Sequence, residues 1–506
     1  MSGLDLKLEN LESLFPDDFT PNQVAKAQTV FLRELSLLAH KFYGGKMITV
    51  PKAGLYGFNW FNVWYTPGVS RVSTAIRGCQ EWFVPGVSNR RGAEEHPGFE
   101  NASFNLSNKS NLIGVVSDST RVLGDGDCTP PGGLGVMEGK AFLMKYLGGI
   151  DAVALCINSR NFNGQSCADR IIDFVKMVEP SFGGINLEDI QQPDCYRVLD
   201  TLREACNIPV WHDDAQGTGC VTVSGLLNAL KVVGKDFNKV RIVLIGAGAS
   251  NTTIARLLIG MGADPELMVL FDTKGALHTG RDDLKADKRF YRKWELCEQT
   301  NPGGKWKTQE EACKGADVLI ALSAPGSVKA EWVKTMASKA VVFACANPVP
   351  EIYPHEAKEA GAAVVATGRG DFPNQVNNSV GFPGILKGAL IVRARKVTDK
   401  MALAAAKSLA SSAERKGISP DYIIPKMDEP EVFPIEAADV AAQAVEDGVA
   451  RRKLSRDEVL CIAEEEIMES RNLIHHLMNE GFIKEPPIEL LEQALKTAVD
   501  TIRAEG

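Results

Sequence analysis

Two adjacent acid pairs are the first residues in this chain with evident chemistry. GGINLEDI (183–190) sets Glu188 beside Asp189 behind an apolar run, and IPVWHDDAQGTG (208–219) sets Asp213 beside Asp214 behind another. Acids at the ends of adjacent parallel strands can serve one crevice. A hard divalent cation, magnesium or manganese, takes carboxylate oxygens and leaves room for substrate oxygens and water. Loop-capping acids are the alternative. Two separate pairs, both beside Gly- and Asn-rich turns, favour a shared metal.

A second chemistry lies in IVLIGAGASNTTIARLL, an apolar strand, a glycine turn and a helix start. Gly246 permits a tight turn, and Gly248 lets a pyrophosphate approach the backbone. Ala249 and Ser250 then open a helix whose free N–H groups face the anion. The third position of this fingerprint is Asn251, which is expected to loosen the strand–helix contact. A structural glycine turn is the competing reading. The strand MVLFD ends in Asp272, placed to accept hydrogen bonds from an adenosine ribose and to repel a 2′-phosphate, which favours NAD over NADP. Lys274 and Arg281 lie close enough in sequence to soften that discrimination, Arg281 by serving the phosphate.

The elements that must position these groups alternate. LIGVVSD, DAVALCI, FGGINL and IPVWH read as short strands, separated by the helical stretches GVMEGKAFLMKYLGG, CADRIIDFVKMVE and CYRVLDTLREAC. This alternation predicts a largely parallel sheet whose ligands gather at the carboxyl ends of its strands. TGCVTVSGLLNALKVVG (218–234) predicts a helix leading into a second α/β unit that contains the glycine loop. Residues 23–42 read as an amphipathic helix behind Pro21, and residues 391–506 as mostly helical. Residues 71–110 are polar and glycine-rich and read as a long loop, a lid or an oligomer contact. The fold class expected is two-domain α/β. Residues 1–215 form a metal and substrate domain, 216–394 a Rossmann-like NAD(P)-binding domain, and 395–506 helices packing back on the first domain and on a partner subunit.

Composition narrows the partners. A net charge of -8 over 506 residues gives no steering toward nucleic acid or acidic membranes. No run of about 18 apolar residues predicts a membrane span, and the first residues carry acids rather than a signal-peptide core. The 11 cysteines form no CxxC and are odd in number, so free thiols in a reducing cytoplasm are expected. With 7 histidines and no HExxH, zinc has little support.

The phrases YTPGV, SDSTRVLGDGD, VMEGKA, FGGINLEDI, IPVWHDDAQGTG, GAGAS, ANPVPEI and TGRGDFPNQVNNSVGFPGILKGAL follow one another in the chain. Together they resemble the malic enzyme family, in its short bacterial form, over roughly residues 60–430. The resemblance implies metal-dependent oxidative decarboxylation of L-malate to pyruvate and carbon dioxide, with reduction of NAD(P). It implies Glu188, Asp189 and Asp214 as ligands of Mg2+ or Mn2+, with Asp213 an accessory acid beside the catalytic lysine. Lys140 matches the base for the hydroxyl proton, a task that asks for a lowered pKa. Tyr65 matches the acid that protonates the enol. Arg121, Asn347 and Asn378 match substrate contacts, and Asn347 and Asn377 cofactor contacts. A homodimer or larger homo-oligomer follows from the same likeness.

The chain departs from the short form at Arg121 and Asp125, which either pair or leave the arginine to read a carboxylate, and in about 40 extra C-terminal residues. These changes keep open a malolactic-type or related decarboxylase acting on malate or a substituted malate; a non-catalytic NAD-binding scaffold is the alternative from another class.

Overall fold

A computed structural model describes residues 5–8, 10–77, 101–122 and 124–505. It divides into two compact units, Met1–Ile48 with Glu469–Gly506, and Thr49–Met468. In the first, helix Pro21–Tyr43 packs against helix Ile488–Glu505. Thr20 and Gln23 form a reciprocal capping box that fixes where the first of these helices begins. Phe15, Phe31, Ala494, Ala498 and Ile502 fill the space between them.

The second unit holds two sheets. Strands β1 Leu112–Ser117, β2 Asp151–Cys156, β3 Gly184–Leu187 and β4 Val210–His212 form a four-stranded parallel sheet in the order β2-β1-β3-β4. The crossovers are the three helices expected from sequence: Leu134–Gly148, Ala168–Val178 and Asp194–Ala205. Strands β5 Ile242–Ile245, β6 Met268–Asp272, β7 Gly275–Ala276, β8 Val318–Ala321, β9 Ala340–Ala344 and β10 Ala362–Thr367 form the second sheet. Its order is β10-β9-β8-β5-β6-β7, parallel except for the short β7 at the edge. Apart from that edge strand this is the doubly wound Rossmann order, and the turn after β5 lies where the order reverses.

Helix Thr218–Val233 joins the sheets and is apolar on nearly every side because it is buried on nearly every side. Helices Phe382–Ile391, Asp399–Lys416 and Val432–Glu446 pack in sequence, and the first also lies on Leu134–Gly148. At the contact between Phe382–Ile391 and Val432–Glu446, Glu436 is fully buried and neither of its oxygens is hydrogen-bonded among the described residues. Burial pushes its carboxyl well above the ordinary range.

The 71–110 loop differs from expectation. Residues Val69–Arg77 form a helix and Ala102–Asn105 a single turn, while 78–100 lie outside the described residues. Among the described residues no helix is long and apolar enough to cross a membrane, and the ten described cysteines are free.

Candidate metal and dinucleotide site

Adjacent residues of an extended strand point to opposite faces, so two neighbouring acids serve one cavity only if the backbone turns. It does so in both pairs. Asp189 takes a left-handed conformation (φ 54°) directly after β3, a region tolerated by aspartate and uncommon for other side chains. After β4 the chain enters a π-helical turn, Asp213–Gly217, the kind of irregular turn found often at functional sites. Strands β3 and β4 are paired neighbours, so both turns open on the same edge. Glu188, Asp189 and Asp214 each bring a carboxylate oxygen within 4.8 Å of the other two. The backbone N–H of Asp189 donates to Asp214 Oδ2 at 2.8 Å, tying the two turns together.

Asp213 turns the other way, to Lys140. The lysine lies on helix Leu134–Gly148 and is almost wholly buried, its Nζ against Asp213 Oδ2 and 3.2 Å from Glu188 Oε1. The Phe382 ring lies 4.6 Å from the same nitrogen, an arrangement worth about 2 kcal/mol when desolvated. Burial acts to lower the lysine pKa, but Asp213, Glu188 and Asp214 outweigh it and hold the ammonium above its usual range. The lowered pKa expected from sequence is therefore not found: the three acids outweigh burial. Burial and the neighbouring acids push Glu188 up well beyond the usual carboxylate range, with Lys140 opposing.

Four acids thus crowd one ammonium, an accumulation of negative charge that a divalent cation would relieve. The all-oxygen donor set suits a hard ion. Glu188, Asp189 and Asp214 fit as its ligands on both counts.

Three supports were not evident from sequence. Trp211 Nε1 donates to Asp213 Oδ1 at 3.0 Å and Asn186 Nδ2 to Glu188 Oε2 at 2.9 Å, each orienting an acid from within a buried strand. His212 Nδ1 stands 3.7 Å from Asp214 Oδ2, and burial lowers its pKa, keeping the imidazole neutral. Asn186 alone left a signal, an amide in the middle of an apolar strand.

The glycine loop borders this cluster. Gly246 has φ 93°, and a Cβ there would lie 2.3 Å from the Leu322 carbonyl, so only glycine fits. Gly248 precedes helix Ala249–Gly260 with open space above it. Ser250 Oγ donates to the Asp214 carbonyl at 2.7 Å, linking the loop to the acidic turn. Asn251 corrects the sequence reading. It is fully buried, and its amide donates to the carbonyls of Ile245 (3.0 Å) and Gly246 (2.7 Å), so it fastens the turn to the strand instead of loosening it.

Asp272 ends β6 with both oxygens bound by Arg281, each at 2.9 Å, and Arg281 also holds Asp283. Arg281 is thus engaged by acids. Lys274 pairs with Asp283 at 2.9 Å. Asn347 follows β9 on an exposed turn; its carbonyl abuts Gly124 so closely that a Cβ there would approach to 2.6 Å. Asn378 Cβ stands 3.3 Å from where Gly217 would carry its own. Asn377 accepts from the Ser379 N–H at 3.0 Å and reaches the Gly368 carbonyl at 3.5 Å. These approaches bring loops of both sheets to one edge.

Two residues stand outside the cluster. Tyr65 ends the short helix Asn59–Trp64 and is 75% exposed, with no hydrogen bond or ion pair joining it to Lys140 or the acids. Arg121 is exposed; its backbone N–H donates to the Asp189 carbonyl at 3.0 Å, and its guanidinium takes no partner among the described residues.

Comparison with known proteins gives the same outline. Residues 58–203 match the model of the malic enzyme N-terminal domain, and 215–445 that of the malic enzyme NAD-binding domain. The chain is similar to the crystal structure of the Entamoeba histolytica malic enzyme, with a TM-score of 0.93 and 58% identity over 99% of this chain and 100% of that one. It is 40% identical to the bifunctional malic/malolactic enzyme of Bacillus subtilis (strain 168), over 85% of this chain and 97% of that protein. It is also 40% identical to the NAD-dependent malic enzyme of Geobacillus stearothermophilus, over 81% and 78%. Other relatives are named for NADP. Two matched domains over one continuous acidic and glycine-loop edge make this chain a member of the malic enzyme family.

Proposed function

We propose that this chain catalyses oxidative decarboxylation of L-malate to pyruvate and carbon dioxide, with reduction of NAD(P) and dependence on a divalent metal. The observation that carries the reading is a buried lysine held between a three-carboxylate cluster and Asp213, at the edge where the glycine loop begins. In this reading Glu188, Asp189 and Asp214 hold Mg2+ or Mn2+. When bound, the ion supplies Lewis acidity toward the 2-hydroxyl and carboxylate of malate. Lys140 takes the hydroxyl proton, and Asp213 fixes the amine and shares that proton. Trp211 and Asn186 keep the two acids in orientation.

Gly246, Gly248, Ala249 and Ser250 receive the dinucleotide pyrophosphate, which supplies the hydride acceptor. Asn347 and Asn377 serve its nicotinamide end, and Asn347 and Asn378 the substrate. Arg121, its guanidinium unpaired among the described residues, binds a substrate carboxylate bidentately. Tyr65 protonates the enol of pyruvate, which requires its exposed turn to be brought over the site.

The division proposed is 1–215 for metal and substrate, 216–394 for the dinucleotide and 395–506 for supporting helices. The contact of Val432–Glu446 with Leu134–Gly148 supports the return of those helices to the first domain. A cytoplasmic homodimer belongs to the same proposal, its face including the exposed aromatics Tyr56, Phe58, Phe61 and Trp64. NAD is preferred over NADP: Asp272 repels a 2′-phosphate, and the arginine beside it is engaged by Asp272 and Asp283.

Product analysis tests the reading. Protein given L-malate, Mn2+ and NAD should release pyruvate with one reduced cofactor for each. Lactate without net reduction supports the malolactic alternative instead, which the likeness to the Bacillus subtilis protein favours as the second reading.

A further inference from the structure

Glu351 is fully buried at the carboxyl edge of the six-stranded sheet. Its two oxygens are divided between two loops. Oε1 accepts from the Ser323 N–H at 2.6 Å, in the loop after β8, and Oε2 from the Ala346 N–H at 2.9 Å, in the loop after β9. The Ser323 hydroxyl adds a longer hydrogen bond at 3.5 Å, and the Val328 N–H donates to the Glu351 carbonyl at 3.2 Å.

Each loop leads directly to the proposed nucleotide crevice. Leu322 and Ser323 carry the atoms that a side chain at Gly246 would strike. Ala346 precedes Asn347, whose carbonyl abuts Gly124 from the other sheet. One carboxylate therefore joins the wall beside the glycine turn to the wall that carries Asn347.

We propose that Glu351 is a positioning residue for the dinucleotide, its ionised carboxylate holding the loops after β8 and β9 in register, one oxygen each. This rests on the dinucleotide reading above. A carboxylate accepts on both oxygens, whereas a protonated carboxyl or a glutamine amide has a donor on one side, where it faces an N–H. One loop is then released.

Burial, opposed by the two backbone N–H groups, raises the Glu351 carboxyl to about 7. The ionisable group facing it is Cys345, directly after β9, whose thiol burial pushes well above its ordinary range, so it stays neutral. Protonation of Glu351 as pH falls through about 7 thus removes one acceptor and loosens the crevice.

The test is a fluorescence titration of the full chain with NADH and NADPH from pH 6 to pH 8, on wild type, E351Q and E351D. Wild type should bind about tenfold more weakly at pH 6 than at pH 8, the scale of one lost buried hydrogen bond. E351Q should bind weakly at both, with a flat profile. E351D should recover part of the affinity together with the pH slope. Manganese binding, titrated in parallel, should be unchanged in E351Q, which a general folding defect does not allow. Wild-type affinity or a wild-type slope in E351Q overturns the inference alone. Failure of the wild type to bind either dinucleotide overturns the reading beneath it, and the inference with it.

Discussion

Asp213 and Asp214 are neighbours with different partners, and the difference comes from the turn that begins between strand and helix. Asp213 meets Lys140 and Trp211; Asp214 joins Glu188 and Asp189. Their substitutions should separate accordingly. Asp214→Asn should weaken manganese binding by tenfold or more in a calorimetric titration, with the rate recovering as metal is raised. Asp213→Asn should leave metal binding nearly unchanged and lower kcat by about 10²-fold, because the lysine loses the partner that fixes it. At the nucleotide end, Asp272→Ala frees Arg281 from its bidentate pair. The kcat/KM ratio of NADP to NAD should then rise about tenfold, since the carboxylate that repels a 2′-phosphate is gone and Arg281 Nη1, with the guanidinium still anchored on Asp283, can meet the phosphate. An unchanged ratio would show that Asp272 does not read the ribose.

Residue types carried much of the site in plain view. Acids after apolar runs, glycines before a helix and a lysine within a family phrase are visible without coordinates. Trp211, Phe382 and Glu351 were not, because each does its work through burial, and a buried tryptophan or phenylalanine looks in sequence like any core residue. Asn251 departs from its sequence reading for a related reason. A polar side chain at a helix start reads as a defect until its two carbonyl partners, Ile245 and Gly246, are seen.

At the scale of elements, period and turn chemistry foretold the strands and crossover helices of the four-stranded sheet. They did not foretell the helix Val69–Arg77, whose glycine-rich sequence neighbourhood masked a short amphipathic run. Nor did they foretell which helices meet. The contact between Phe382–Ile391 and Val432–Glu446 buries Glu436 without a hydrogen-bond partner among the described residues, and stability should register it. The carboxyl is raised in the fold and ordinary when unfolded, so its stabilising contribution is full at low pH and lost as pH rises. Glu436→Gln carries no such dependence. The difference in unfolding free energy between variant and wild type should therefore grow in the variant's favour above the usual glutamate range, by up to about 1.4 kcal/mol per pH unit. Thermal melts between pH 5 and pH 8 measure it, and parallel curves would show that Glu436 ionises freely in the fold.

At the scale of the whole molecule, the loops of two sheets meet at one edge, with the acid cluster on one side and the glycine turn on the other. The hydrogen bond from Ser250 to the Asp214 carbonyl is the most direct link between them. Tyr65, exposed and apart, is the proposed enol acid, and Tyr65→Phe should slow turnover by about 10²-fold while leaving malate and NAD binding nearly intact. Sedimentation should find a species of twice the 54.8 kDa chain.

Lys140, gripped by Asp213 and Glu188, is proposed to remove the hydroxyl proton of malate beside a metal. Stopped-flow absorbance of the reduced cofactor, with L-malate, NAD and Mn2+, tests it in wild type and Lys140→Ala. The expected result is a burst in the wild type and none in the variant, while the variant keeps a larger share of its oxaloacetate decarboxylation, which needs no hydroxyl deprotonation. A full-rate burst in Lys140→Ala would contradict it.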